Sequence, residues 1–280
     1  MKQALLLLLL LITLHSITSA QEGQVTHFYK TKVLKEVLHY KEGKLNGPCV
    51  YFTSQGILSK ATEYLAGKLN GPFSEYYPTG ILKERGGYKN GVLDGVYASY
   101  YESGNIKFLD FYMAGNKEGK SLGYFENGMI KSEIQFKANI QTGLTKFFGD
   151  EGGVEGEFNY VDGLLNGLTI EYYEEGGGKS AEKIYKNGKP DSLFKFFYES
   201  GTPKGEQHFI NGLQNGISKT FYPTGKIWTE QSYEKGNLNG ESFAYSEDGK
   251  LISKDTYKNG ELKHKTEYSA DGKVSAEHSY

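Results

Sequence analysis

The chain has 280 residues, of which 37 are glycine, 23 tyrosine, 16 phenylalanine and only 6 proline. The glycines follow no three-residue period, which excludes collagen, and so many aromatic residues argue against a disordered chain. The formal charge is -2, and Arg85 is the single arginine. Because arginine is the side chain best suited to phosphate and guanine contacts, we expect no nucleic-acid partner.

The first predicted element is a secretory signal peptide over residues 1–20. Lys2 gives a positive start, Ala4–Leu14 is almost wholly apolar, and Ile17–Ala20 supplies small residues before a cleavage site. The apolar run is shorter than the ~20 residues of a membrane-spanning helix, so we expect cleavage after Ala20 rather than an uncleaved anchor. The mature protein is then exported, which makes it periplasmic, cell-surface or extracellular.

Residues 21–280 are predicted to form a tandem array with a period of 24 residues. Three columns of glycine recur with this period, and each marks a turn, because glycine adopts positive φ at little cost. The first column is Gly43, Gly67, Gly91, Gly115, Gly163, Gly188, Gly212, Gly236 and Gly260, with Asn139 in one place. The second is Gly47, Gly71, Gly95, Gly119, Gly143, Gly167, Gly216 and Gly240. The third is Gly56, Gly80, Gly104, Gly128, Gly152, Gly176, Gly201, Gly225, Gly249 and Gly272.

Aromatic residues keep the same period. One aromatic column is Tyr40, Tyr64, Tyr88, Tyr112, Phe136, Tyr160, Tyr185, Phe209, Tyr233 and Tyr257. Another, which often has a second aromatic directly after it, is Phe28, Phe52, Tyr76, Tyr100, Tyr124, Phe148, Tyr172, Phe197, Phe221, Tyr245 and Tyr268. Strands are predicted between the turns, as over Phe73–Tyr77 and Leu82–Tyr88. Leu82 and Tyr88 have the same parity, so we expect them to share a face of the sheet.

The predicted fold is all-β: an elongated antiparallel β-meander ribbon of tandem 24-residue β-hairpins, after the N-terminal signal-peptide helix. Asn-Gly pairs such as Asn90-Gly91 are strong hairpin signals. A single hairpin is marginal in water, so each unit depends on its neighbours. We expect about ten and a half repeats and no second domain.

Two segments of one unit carry a family resemblance. Tyr88–Gly95 and Glu75–Glu84 closely resemble the MORN-repeat variant that is common in bacteria. Bacterial proteins of this kind are often grouped as YwqK-type antitoxins, which implies binding to a toxin and neutralising it. MORN proteins elsewhere are associated with membranes, lipids and scaffolding, and the family has no shared catalytic residues.

The array departs from this pattern in a few places. Asn139 replaces a turn glycine, Ser192 and His264 occupy the second glycine column, and Gly176–Gly178 is an insertion. These departures predict a local kink or bulge near residues 176–192.

No constellation of residues predicts catalysis, a cofactor or a metal site, so we expect a protein that is not an enzyme. The five histidines beyond residue 20 have no metal-like spacing. Glu84, Glu133 and Glu230, opposite lysines such as Lys83 and Lys131, are interpreted as solvated cross-strand charge. The lone Cys49 is interpreted as a small apolar strand residue, with pairing between chains as the alternative.

An array without a chemical site predicts an interaction scaffold for a still unknown protein partner, with antitoxin-like binding of a toxin or effector as its sharper form. The candidate binding residues are the aromatic rows at Tyr76, Tyr77, Tyr100, Tyr101, Tyr172 and Tyr173. The alternative is a cell-envelope or carbohydrate binder whose tyrosine rows stack on sugars, although Trp228 is the single tryptophan. Lipid binding is a weak third alternative, because the charge is nearly balanced, and an enzyme is a distant fourth.

Overall fold

A computed structural model describes residues 20–174 and 177–280. The predicted signal peptide, apart from Ala20, lies outside the described residues. The described residues form 29 strands in a single sheet, and every strand pair is antiparallel. Within this part of the chain, no helix has the length and apolar character needed to cross a membrane. The predicted all-β meander of hairpins is confirmed.

The strands follow one another in chain order through the sheet. They are β1 (Gly23–Phe28), β2 (Leu34–Lys41), β3 (Lys44–Leu45), β4 (Gly47–Phe52), β5 (Leu58–Leu65), β6 (Lys68–Tyr76), β7 (Leu82–Lys89), β8 (Val92–Leu93), β9 (Gly95–Tyr100), β10 (Ile106–Met113), β11 (Asn116–Lys117), β12 (Gly119–Tyr124), β13 (Ile130–Lys137), β14 (Ile140–Gln141), β15 (Gly143–Phe148), β16 (Val154–Val161), β17 (Leu164–Leu165), β18 (Gly167–Tyr172), β19 (Lys179–Lys186), β20 (Lys189–Pro190), β21 (Ser192–Phe197), β22 (Pro203–Ile210), β23 (Leu213–Gln214), β24 (Gly216–Phe221), β25 (Ile227–Glu234), β26 (Asn237–Tyr245), β27 (Leu251–Lys258), β28 (Glu261–Tyr268) and β29 (Val274–Ser279).

Two kinds of turn alternate along the array and define its two edges. At the Asn-Gly edge, both central residues of each turn have positive φ, as at Asn90 (φ 53) and Gly91 (φ 89), which is the requirement of a type I′ hairpin. At the opposite edge, which we call the bulge edge, Gly80 donates its N–H to the Tyr77 carbonyl over 2.8 Å. The predicted turns are therefore confirmed.

The strand register explains why glycine recurs in the second column. Each of its glycines lies opposite a column aromatic, as Gly71 opposite Tyr88, and Gly71 has a φ of 120°. Ser192 takes this place opposite Phe209 and adopts a φ of 66°. Within residues 177–192 the strand pairs contain one β-bulge, at Ser180. A bulge therefore lies in the predicted range, but it occupies the same place as the bulge of every other hairpin and is not specific to these departures.

The assignment of His264 to the second glycine column is wrong. His264 lies opposite Ser279, while the carbonyl of Lys263 accepts the N–H of Tyr280 over 3.0 Å. Lys263 therefore takes the second-column place, because this repeat is one residue shorter than the others.

A β-bulge in every hairpin decides which side chains share a face. Tyr76 lies opposite Leu82 and Glu75 opposite Glu84, so Lys83 is the extra residue. Side chains opposite each other share a face and successive ones alternate, and the bulge shifts this alternation by one. Leu82 and Tyr88 therefore lie on opposite faces, and the prediction that they share one is wrong. The same holds for the equivalent pairs in the other repeats.

We call the face that carries Tyr88 face 1 and the face that carries Leu82 face 2. The narrow core lies on face 1, two residues after each second-column glycine. Its most buried members are Cys49, Thr145 and Thr169, each 0% exposed. Cys49 is a free thiol whose pKa is raised by burial, which confirms a small apolar strand residue.

Adjacent repeats are hydrogen-bonded to each other at both edges. At the Asn-Gly edge, the Asn70 side chain accepts the N–H of Asn90 over 3.1 Å, and Asp94 accepts that of Ala114 over 3.0 Å. At the bulge edge, Tyr101 donates its hydroxyl proton to the Tyr124 carbonyl over 2.7 Å. These contacts fix the spacing between successive hairpins.

Candidate functional site

The six tyrosines predicted as aromatic rows lie on two different faces. Tyr76, Tyr100 and Tyr172 end their strands on face 2, and Tyr77, Tyr101 and Tyr173 follow them on face 1. All six are buried or half-buried. Neighbouring tyrosines thus contribute to two separate surfaces rather than to one.

The tyrosines of face 1 are held in place by their hydroxyl groups. Tyr77 donates to the Tyr100 carbonyl over 2.8 Å, and Tyr173 donates to the Phe197 carbonyl over 2.5 Å. Tyr198 and Tyr222 make the same contact one and two repeats further on. These hydroxyls connect repeats, so it is the faces of the rings that are left for binding.

In three repeats the extra residue of the bulge is a lysine that covers the ring of the face 1 aromatic. The Lys107 ammonium lies 5.4 Å from the Tyr101 ring centroid, and that of Lys204 lies 5.7 Å from the Tyr198 centroid. Such contacts contribute roughly 0.5–1 kcal/mol at exposed sites. At Tyr173 the equivalent place is held by Ser180, as the pairing of Tyr172 with Lys179 shows. A hydroxymethyl group is too short to cover the Tyr173 ring.

A groove of about 470 Å³ opens on face 1 where this cover is missing. Its aromatic walls include Tyr173, Phe196, Tyr198 and Trp228, and its floor includes the small residues Ala181 and Gly205. Trp228 is 50% exposed, and its ring centroid lies 5.6 Å from that of Tyr222. The groove is therefore wide, aromatic and largely preformed, which are the properties of a binding site.

The charged residues near the groove are mostly paired. Lys183 contacts Glu171 over 2.6 Å and lies 5.9 Å from the Phe196 centroid. Lys219 contacts Glu230 over 3.3 Å. Lys204, which stacks on Tyr198, makes no ion pair with another described residue. Among the described residues, no group of three or more histidine, cysteine or acidic side chains is placed to hold a metal ion.

Face 2 carries a ladder of alternating charge along the middle of the sheet. Each member lies directly opposite the next on the adjacent strand, and the order is Glu133, Lys146, Glu157, Ile170, Glu182, Lys195, Glu206, Lys219 and Glu230. The Lys146 ammonium lies 2.7 Å from Glu157, and this hydrogen bond raises the pKa of Lys146.

The cross-strand charge pairs expected from the sequence are partly misplaced. Glu133 and Glu230 belong to the ladder, but Glu133 contacts Lys120 over 3.2 Å and Glu230 contacts Lys219 over 3.3 Å. Glu84 lies on face 1, where it accepts the Tyr97 hydroxyl over 2.5 Å. Lys83 and Lys131 are the extra residues of bulges and do not face glutamates across the sheet. The bulge again accounts for the error.

Face 2 also carries an exposed apolar stripe beside the ladder, along the Asn-Gly edge. Its side chains are between 36% and 60% exposed. The stripe consists of Leu65, Val92, Val96, Phe111, Met113, Ile140, Leu144, Val161, Leu164, Leu168, Ile184, Ile210, Leu213 and Ile217. Cross-strand pairs such as Val96–Phe111 and Leu168–Ile184 belong to it. The polar pairs Lys120–Gln135 and Lys186–Lys189 interrupt it.

The groove and the stripe were not predicted from the sequence. A signal for the groove exists, since the bulge position is lysine in five repeats, whereas Ser180 and Trp228 hold it at the groove. Serine also holds this position at Ser59 and Ser275. The stripe falls on positions flanking the turns, which are not expected to be apolar, and only the register places them on one face.

The geometry defines a repeat protein built as an open antiparallel meander, with an aromatic groove on one face and an apolar stripe on the other. The family model of the MORN repeat variant matches seven segments, which together cover more than half of the chain: residues 21–42, 69–90, 93–113, 117–138, 190–211, 214–235 and 238–259. The chain belongs to the MORN repeat variant family. The segments between these matches have the same register in the structure.

The chain has no match among curated proteins. Among solved structures it is similar to a chain in the crystal structure of TcdB2-TccC3-Cdc42, with 13% identity and a TM-score of 0.21. It is also similar to a chain in the Photorhabdus luminescens Tc holotoxin pore carrying the mutation TccC3-D651A, with 12% identity and a TM-score of 0.18. In each case the match covers 88% of this chain and 14% of the other.

Proposed function

We propose that this protein is an exported, non-enzymatic scaffold whose face 1 groove binds a protein partner. One observation carries this proposal. The tyrosine rings of face 1 are held by hydrogen bonds between repeats, and at Ser180 they line an aromatic groove of about 470 Å³. Rings already fixed by hydrogen bonds lose little freedom on binding, and such preorganisation favours affinity. Membership of a MORN family supports interaction with proteins or membranes rather than catalysis.

The antitoxin-like form of this function is tight, one-to-one binding of a toxin or effector through the groove. Its aromatic anchors are Tyr173, Tyr198 and Trp228, because tyrosine and tryptophan dominate the energetics of protein interfaces. Lys204 adds a positive charge beside them, so an acidic group on the partner is favoured. We propose no nucleic-acid partner.

The decisive experiment is affinity capture of the mature protein from the exported fraction of its own organism, with cross-linking and mass spectrometry. The Ser180→Lys variant introduces the residue that covers the equivalent ring in other repeats. It should therefore close the groove with a side chain that the array already has at this position. We expect Ser180→Lys and Trp228→Ala each to reduce recovery of the partner at least about 10-fold. Ser275→Lys, the same substitution at the same repeat position in the last hairpin, is the matched control. Equal recovery by all four proteins contradicts the proposal.

Export is tested separately by N-terminal sequencing of the mature protein. Cleavage after Ala20 predicts a chain that begins at Gln21. A mature protein that keeps Ala4–Leu14 contradicts this part of the proposal.

A second candidate function is glycan binding in the same groove, favoured by the half-exposed ring of Trp228. Aromatic faces stack on sugar rings, and the polar side chain of Gln207 also lines the groove. Retention on isolated cell walls that is lost in Trp228→Ala supports this function. Retention that is equal in the wild type and Trp228→Ala, or no retention at all, contradicts it.

A further inference from the structure

The floor of the face 1 groove alternates between small and large side chains. Ala181 lies opposite Phe196 on the adjacent strand, and Phe196 lies opposite Gly205 on the strand after that. The Phe196 ring therefore stands between two hollows, one floored by a methyl group and the other by backbone alone. Because adjacent strands lie about 4.8 Å apart, the two hollows are separated by roughly 9.6 Å along the array.

The aromatic walls of the groove recur at the same interval. Tyr173 and Tyr198 hold equivalent places in consecutive repeats, since each donates its hydroxyl proton to a carbonyl of the following repeat. Trp228 contacts Tyr222, the next ring of this row, with 5.6 Å between the ring centroids, and forms the third wall. A ligand that fits presents one compact apolar group to each hollow, and successive groups are two strands apart.

Among regular peptide conformations, polyproline II matches this interval. It has three residues per turn and a rise of about 3.1 Å per residue, so every third side chain recurs on one side after roughly 9.3 Å. A β-strand presents side chains to one side every ~6.8 Å. An α-helix has a pitch of about 5.4 Å, so a helix lying along the groove places an intermediate turn on the Phe196 ring.

The charge of the groove adds a further requirement. Glu171 is paired with Lys183, and Lys219 with Glu230. Lys204 lines the groove beside the Tyr198 ring without an ion pair to another described residue. The uncompensated charge is therefore positive, and its complement on a partner is a carboxylate.

We propose that the groove binds a proline-rich segment in the polyproline II conformation, with two prolines three residues apart in the hollows at Ala181 and Gly205 and an acidic residue beside Lys204. This inference rests on the proposed function of the groove and specifies its partner. Aromatic-lined grooves suit proline rings, and a polyproline II segment is already ordered before it binds.

The polar groups of the groove are also of the kind that such a segment needs. Polyproline II has no internal hydrogen bonds, and proline has no N–H, so the segment mainly presents carbonyl acceptors. Trp228 and Gln207 line the groove, and the indole N–H and the amide NH₂ are donors. The tyrosine hydroxyls are already bound within the array.

Another part of the array has the same floor but not the same site. Ser132, Phe147 and Gly156 repeat the order of small, large and small side chains. Gly149 takes the place of the wall tyrosine there, and a side chain added at Gly156 would run into the Phe158 ring. The proposed site therefore depends on open hollows together with aromatic walls, and not on the floor alone.

The test is the binding of short fluorescent peptides to the mature protein, measured by fluorescence polarisation. The probe has two prolines three residues apart in an alanine background, with a glutamate at each end. The control peptide has the same composition, but its prolines are four residues apart. We expect saturable binding of the probe and binding of the control that is at least about 10-fold weaker, because its second proline misses the second hollow.

A substitution in one hollow provides the matching test on the protein. Gly205→Val is expected to weaken binding of the probe at least about 10-fold, because it fills the hollow with a residue that strands accept. The nearest atom to an added Cβ is the Lys219 carbonyl oxygen at 3.4 Å. Ser253→Val, at the same repeat position two units further on, is the control and should bind as the wild type does. Circular dichroism verifies that each variant is folded.

A charge exchange tests the acidic residue. Lys204→Glu is expected to weaken binding of the probe about 5-fold, and to strengthen binding of a peptide with lysine at each end by a similar factor.

Three results overturn the inference: no saturable binding, equal binding of the two proline spacings, or full binding by Gly205→Val. A captured partner that needs the groove but has no proline-rich segment also overturns it, although the proposed function then stands. Conversely, binding of the probe that Gly205→Val removes, without any captured partner, supports the inference and counts against the scaffold function.

Discussion

Individual residues at the Asn-Gly edge adopt a backbone conformation that most amino acids avoid. In the described part of the chain, ten turns have a non-glycine residue with positive φ at their first central position: Glu42, Ala66, Asn90, Ala114, Ala138, Asp162, Asn187, Asn211, Lys235 and Asn259. Asparagine and aspartate tolerate this conformation because their side chains form local hydrogen bonds. Alanine has no such compensation, so its turns store strain.

Replacing one of these alanines is expected to stabilise the protein. Ala114→Asn should raise the free energy of unfolding by about 0.5–1 kcal/mol, because Ala114 has a φ of 49°. The reverse substitution in the preceding repeat, Asn90→Ala, should lower it by a similar amount. Urea unfolding followed by circular dichroism measures both. Changes of the same sign in the two variants would show that turn conformation does not control stability at this edge.

At the scale of the hairpin, a tyrosine hydroxyl connects one unit to the next at six places in the described part of the array. Tyr101 donates to the Tyr124 carbonyl over 2.7 Å, and Tyr198 donates to the Phe221 carbonyl over 2.7 Å. The unit that follows Tyr101 has Phe125 in this place, and phenylalanine has no hydroxyl. The array therefore contains both the bonded and the unbonded form of the same contact.

The hydroxyl contact can therefore be removed in one repeat and added in another. Tyr101→Phe should lower the free energy of unfolding by about 1 kcal/mol, because a half-buried carbonyl loses its donor. Phe125→Tyr should raise it by up to the same amount by supplying a donor for the Phe148 carbonyl. Thermal unfolding measures both variants. If Phe125→Tyr destabilises the protein, the tyrosine contact follows the local packing and does not act as an independent connection.

At the scale of the hairpin, the turns could be predicted from the sequence but the faces of the sheet could not. Spacing alone predicted the turns, because glycine and asparagine at Asn90-Gly91 satisfy a local backbone requirement. Spacing could not assign faces, because the bulge at Lys83 shifts the alternation between Leu82 and Tyr88. The groove was missed for a related reason. It opens because the short Ser180 side chain leaves the Tyr173 ring uncovered, and only the strand register brings these two residues together.

At the scale of the whole molecule, every contact between repeats is a contact between neighbours. Strand pairs join only adjacent or next-but-one strands in chain order among the described residues. Stability is then close to a sum of repeat and interface contributions. The array has no residue pair that closes it from one end to the other within the described part of the chain.

Removal of a whole unit should therefore be tolerated. Deletion of residues 115–138 removes 24 residues and joins Ala114 to Asn139, which restores a turn of the same kind. We expect circular dichroism to show the same strand content per residue, with a lower unfolding midpoint. Deletion of residues 115–126 is the control, because it removes β11 and β12 but keeps their partner β13, so that β10 and β13, two strands of the same type, lie side by side. A 24-residue deletion as damaging as the 12-residue one contradicts independent units.

Connection through neighbours alone also sets how the protein responds to a pulling force. Tension applied to the two ends acts across the strands, so hydrogen bonds between hairpins break in sequence rather than all at once. Each unit that opens replaces roughly 10 Å of folded length with up to about 80 Å of extended chain. The tyrosine and asparagine contacts between units set the force at which each one yields. An array of this kind lengthens in steps under load and shortens again when the load is removed, as a molecular spring does.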